Sequence, residues 1–155
     1  MGLDQYLRVS AELSTGDKMS AAEELALKAT GLDAMPSMRF CPARIERQVF
    51  AWRKDYRVQS WIEGLYGARE SIDKTYLSFA ELDRLILDMQ ACITDPSKLD
   101  ELFPFTNGWD WCGPEEADAE RDSSIGGFIE ALPALTEIRS AYNSYAMTIT
   151  YSASW

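Results

Sequence analysis

The sequence predicts an α+β domain, built on an antiparallel or mixed sheet with helices packed on one face. Three observations carry this expectation. Strand-like and helical segments are interspersed without a regular strand–helix–strand repeat. Two capping boxes open apolar helical stretches. The last residues alternate large apolar side chains with small ones. With 155 residues, 46% hydrophobic and 12% aromatic, the chain can bury one core but not two, so residues 1–155 are read as a single globular domain.

Residues 3–9, LDQYLRV, mix apolar and polar positions too tightly for a helix and contain Tyr6 and Val9, which predicts an opening strand. Ser20-Ala-Ala-Glu23 is a capping box, in which hydroxyl and carboxylate each satisfy an N–H at a helix start. It predicts a helix over 20–30, stopped by Gly31. The Met35-Pro36 and Cys41-Pro42 steps punctuate the chain, since a residue before proline is pushed toward extended backbone. Ile45 to Trp52 then shows partial alternation and reads as a second strand.

Val58, Trp61, Ile62 and Leu65 recur at helical spacing, predicting a helix over 55–66 with one buried stripe, closed near Gly67. Thr75-Tyr-Leu77 is a short strand. Ser78-Phe-Ala-Glu81 is the second capping box, and it opens the clearest helix, whose buried face is Phe79, Leu82, Leu85, Ile86, Met89 and Ile93. Asp95-Pro96 supplies an N-cap and a proline at the first helical position, so a short helix should run to Phe103. Residues 104–114, PFTNGWDWCGP, read as a loop. Phe128, Ile129, Leu132, Leu135 and Ile138 predict a further helix, weakened or kinked by Gly126, Gly127 and Pro133. Tyr145, Met147, Ile149 and Tyr151 alternate with smaller residues, the strongest strand signal present.

Charge is the most informative bulk property. The net charge is −10 and the isoelectric point about 4.5, a balance that repels nucleic acid and argues against direct nucleic-acid binding. From Asp95 to Asp122 nine acids face two bases, a net of −7. Between Arg39 and Arg57 six bases face two acids, Glu46 and Asp55. A dipolar domain is expected.

No apolar run approaches the length of a membrane-spanning helix, and the first residues lack a basic flank followed by an apolar stretch. The expectation is a cytoplasmic protein with no membrane partner. Cys41, Cys92 and Cys112 are widely spaced and form no CxxC pair, against both a disulfide framework and a zinc site.

The chain has no histidine, which removes the commonest general base and every Ser-His or Cys-His nucleophile. Neither glycine-rich phosphate cradle is present. Asp118-x-Glu120-x-Asp122 superficially resembles a calcium loop but lacks its later glycine and distal glutamate. No catalytic residue, cofactor or metal is therefore expected. Acids at 115, 116, 118, 120 and 122 read as a solvated run, not a buried acid/base pair. Trp109-Asp110-Trp111, beside that run, is the candidate anchor of a protein interface, because tryptophan is enriched where binding energy concentrates. Core coverage is the equally weighted structural reading of those rings. Trp52 and Trp61 are the better core candidates, and Cys92 is a buried, unreactive thiol.

Met1-Gly-Leu-Asp-Gln-Tyr-Leu7, Trp52-Arg-Lys54 leading into Trp61, Asp95-Pro-Ser-Lys98, the Pro104 to Gly113 loop and Ser152-Ala-Ser-Trp155 together resemble a family of small proteins of bacteriophages and mobile elements. Some members carry a phosphoglycerate-kinase label, which this chain is too short to merit. The family pattern has an Ile-His pair where this sequence has Val58-Gln59, so no role of that histidine transfers. The resemblance implies a bacterial host cytoplasm as the setting and no established catalytic residues.

Small acidic phage proteins often occupy basic sites meant for nucleic acid. The expected function is thus a non-enzymatic inhibitor of a host defence nuclease or nucleoprotein complex, with anti-CRISPR activity as the preferred form. Its partner-binding residues would be Trp109, Asp110, Trp111, Glu115, Glu116, Asp118, Glu120 and Asp122. The alternatives are a structural or regulatory phage protein acting as a homo-oligomer, for instance a homodimer, and a small enzyme with a carboxylate-based site.

Overall fold

Strand β1, Asp4–Leu13, lies inside a four-stranded antiparallel sheet of order β2-β1-β4-β3. Its partners are β2, Ala43–Arg53, at one edge and β4, Met147–Ser154, which in turn carries the short edge strand β3, Thr75–Leu77. The structure, a computed structural model, describes residues 4–13, 21–29, 43–53, 55–67, 74–105, 116–141 and 147–154. The architecture is α+β.

The register decides which side chains face the core. Leu7 lies opposite both Tyr151 and Phe50, Gln5 opposite Ala153 and Trp52, and Leu77 opposite Ile149. Since side chains alternate across a strand, these residues share one face. The partial alternation of the second strand has a structural cause. Leu7 pairs with Phe50 but Arg8 with Gln48, so Val49 is the extra residue of a β-bulge.

Five helices complete the described residues: α1, Ala21–Ala29; α2, Tyr56–Tyr66; α3, Phe79–Thr94; α4, Leu99–Leu102; and α5, Glu116–Ala141. Helices α2, α3 and α5 pack on the apolar face of the sheet, where Leu82, Leu85, Met89, Phe128, Leu135 and Ile149 join one cluster. The Ser78 capping box forms in full: the Ser78 hydroxyl accepts from the Glu81 N–H, and the Glu81 carboxylate accepts from the Ser78 N–H. Asp95 caps as expected through Ser97, but the segment after it is a 3-10 turn, Pro96–Lys98, that passes into α4. The predicted stop of α2 is also seen, with Gly67 at φ 84°, a left-handed value that glycine accepts without strain.

Two helices depart from the expected pattern. Around α2 the stripe is wider than the apolar spacing implies, because Arg57, Gln59 and Ser60 are buried along with Val58, Trp61 and Ile62. Along α5 the buried line is Ser124, Phe128, Ala131, Leu135 and Ile138, while Ile129 is 54% exposed. Alternating steps of three and four follow the helix surface facing the sheet, and Ile129 falls one position off that line. Pro133, which has no N–H for the Ile129 carbonyl, takes an exposed position. Helix α5 also begins far upstream of its apolar residues, so the acidic run that reads as a mere solvated stretch is helical from Glu116.

Candidate functional site

Of the expected partner-binding residues, Trp109, Asp110, Trp111 and Glu115 lie outside the described residues. Glu116, Asp118, Glu120 and Asp122 occupy the opening turns of α5, and Asp122 is exposed. A step of two residues turns the helix by about 200°. Positions 116 and 120 therefore share one side of the helix and positions 118 and 122 the other. Acids in a first turn are favoured there by the exposed N–H groups and the positive end of the helix dipole.

A second constellation, not anticipated from the sequence, is buried. Asp55 is the N-cap of α2, and its Oδ1 accepts from the Arg57 and Val58 N–H groups and from the Ser124 hydroxyl, each at 3.2 Å. The Asp55 backbone is itself held by Gln5. Tyr151 Oη receives the Gln5 amide at 2.8 Å and donates to Gln59 Oε1 at 2.7 Å, and Gln59 passes the chain to Glu63. Gln59 serves here as a neutral acceptor for a buried phenol. Strand β1, helices α2 and α5, and strand β4 thus converge on one polar knot inside the core.

Arg57 extends this knot toward α4. Only 3% exposed, it donates from Nη1 to the Phe103 carbonyl at 2.8 Å and pairs with Asp100 at 2.9 Å. Phe103 in turn packs between Trp61 and Phe128, at centroid distances of 6.2 and 4.6 Å. The charge of Arg57 is therefore committed to holding α2 against the α4 end.

Beside Asp55 opens a cavity of about 270 Å³ between β2 and α5, bordered by Trp52, Asp55, Ser124, Gly127 and, on its rim, Arg53 and Glu130. Burial pushes the Asp55 carboxyl above the ordinary aspartate range, against the hydrogen bonds from Val58, Ser124 and Arg57 that pull it down. The Tyr151 phenol is raised as well, burial being the main cause, and stays protonated. The arrangement offers donors and acceptors to a small guest.

The signals for this site were present but ambiguous. Asp55 is readable as a cap, Gln5 as a polar residue in an apolar alternation, and Gly126-Gly127 as a helix weakness, yet nothing local joins them. Cys92 is buried as expected, and burial together with the Asp88 charge pushes its thiol up to about 11. Among the described residues no group of three or more Cys, Asp and Glu side chains is placed to hold a metal ion, and no helix is long and apolar enough to cross a membrane. Compared with protein-family models, curated proteins and solved structures, the chain matches none.

Proposed function

We propose that this chain is a non-enzymatic inhibitor that binds a bacterial defence nuclease or nucleoprotein complex, with anti-CRISPR activity as the preferred form. The contact is assigned to the acidic segment from Trp109 to Asp122, facing a basic surface on the partner. What supports the reading is the helical opening of α5, which sets Glu116, Asp118, Glu120 and Asp122 at one end of a 26-residue helix. Such a cluster steers a positively charged partner and occupies a site meant for phosphates. The resemblance to small phage and mobile-element proteins supplies the setting.

The direct test is capture of a defence complex by the purified protein, followed by plasmid interference with Glu115, Glu116, Asp118 and Glu120 replaced by lysine. Loss of both capture and protection in a folded variant is the expected result. Full protection by that variant rules out the acidic contact.

One observation favours a second contact. On the sheet face turned away from α2, α3 and α5, the Arg8, Arg44 and Lys74 side chains lie 3.7, 3.6 and 3.7 Å from the single carboxylate of Glu46. Three cations share one acid there. In this reading the basic face meets an acidic protein surface, and Arg44→Glu with Lys74→Glu abolishes capture while the lysine variant does not.

A further inference from the structure

The cavity between β2 and α5 is bordered by an indole N–H and a carboxyl group. Trp52 is 5% exposed, and its indole Nε1–H finds no acceptor among the described residues. Leaving a buried N–H unpaired is costly enough that native proteins rarely do so without a guest or a water. Asp55 supplies the complement. Its hydrogen bonds from described residues all end on Oδ1, and Oδ2 borders the same space.

Gly127 shows how close the two atoms are. A methyl group on its Cα would sit 3.7 Å from Asp55 Oδ2 and 3.9 Å from Trp52 Nε1. One small group placed there touches an indole donor and a carboxyl acceptor at once, and the missing side chain of Gly127 is what leaves the room.

We propose that this cavity is a binding site for a small neutral ligand of the primary-amide class, whose N–H donates to Asp55 Oδ2 while its carbonyl accepts from Trp52 Nε1. Other chemistries match less well. An ammonium group pairs with Asp55 but has no lone pair for the indole. A carboxylate or phosphate accepts from the indole but meets the acids Asp55 and Glu130. An amide edge carries donor and acceptor side by side and satisfies both walls. Ser123 and Glu130, exposed on α5, form the mouth through which it enters.

The experiment follows the Trp52 indole N–H resonance in the folded protein, identified by its loss in Trp52→Phe, during titration with acetamide, acetate and methylammonium. Acetamide shifts this resonance saturably, with weak affinity in keeping with its few atoms, and the two ions do not. Gly127→Ala inserts a methyl at ordinary contact distance from both walls and also favours the helix, so it keeps the fold while weakening acetamide at least about tenfold. Asp55→Asn keeps the cap and turns the wall atom into a donor, so the response passes from acetamide to acetate. The proposal is overturned if acetamide gives no saturable shift, as in a cavity that holds only water. Equal shifts with acetate in the native protein, or undiminished binding in Gly127→Ala, overturn it as well.

Discussion

Gln5 grips the backbone of Asp55 from both sides: its Oε1 accepts from the Asp55 N–H at 3.1 Å, and its Nε2 donates to the Asp55 carbonyl at 2.8 Å. A side-chain amide here does what a neighbouring strand would do, and it ties the start of α2 to the central strand. Removing it leaves the Asp55 N–H unpaired, while the Asp55 carbonyl keeps the Gln59 N–H and the Tyr151 phenol keeps Gln59 Oε1. Gln5→Leu is predicted to cost about 1–3 kcal/mol in urea melts, the range for one buried group left unpaired. A loss below about 0.5 kcal/mol, the range of surface substitutions, would mean that water reaches the knot.

Leu85 on α3 is 1% exposed, whereas Leu87, two positions on, is 63% exposed. Leu85→Ala is predicted to destabilise by about 2–5 kcal/mol, the transfer and cavity terms together. Leu87→Ala should stay within about 0.5 kcal/mol. Similar losses for the two would contradict the helix face assigned here.

Asp55 gives an unusual pH dependence. A carboxyl whose folded pKa lies above its unfolded value of 3.8 binds its proton more tightly when folded. Its contribution favours folding below that value and is lost as pH rises through the folded pKa. Glu81, Asp83 and Asp95, held low chiefly by hydrogen bonds to Ser78, Arg139 and Ser97, act in the opposite sense. Their stabilisation is present above the unfolded values and lost as pH falls through the folded ones. Asp55→Asn, which still caps α2, is therefore predicted to gain on the native protein as pH climbs from about 4 to about 7. Urea melts of both proteins across that range measure the difference, and a flat difference would refute the burial argument.

Cys92 should be chemically silent. Buried and raised to about 11, its thiol carries little thiolate near neutral pH. Iodoacetamide followed by peptide mass mapping is predicted to leave Cys92 unmodified in the native protein and to label it fully in urea. Native labelling at the denatured rate would show that this face of α3 opens.

The acidic opening of α5 makes two separable predictions. Lysine at positions 116 and 118 opposes the helix dipole and should cost about 0.3–1 kcal/mol each at low ionic strength, a loss that fades as salt rises. Glutamine at the same positions removes charge without that opposition. If the acids also form the contact, both sets weaken partner capture, and the glutamine set does so with stability nearly unchanged. Capture that follows stability alone would assign the acids to the helix and not to the partner.

The sequence by itself determined the elements whose causes are local. A capping box spans four residues, a helix stripe repeats every three or four, and a strand alternates every two, so α3, the Asp95 cap, the Gly67 stop and the alternation of β4 could be read directly. Charge was legible in the same way, and so was the burial of Trp52, Trp61 and Cys92. Only the tertiary structure decided that the first and last strands pair, that the bulge at Val49 shifts the face of β2, and that α5 buries Ala131 in place of Ile129. It also decided the polar knot, because Gln5 meets Asp55 50 positions along the chain and Tyr151 146 positions along it. No local period links residues that far apart. Their meeting depends on strand order and on the packing of α2 and α5 against the sheet, and that packing sets Gly127 beside Trp52 and Asp55 and opens the cavity.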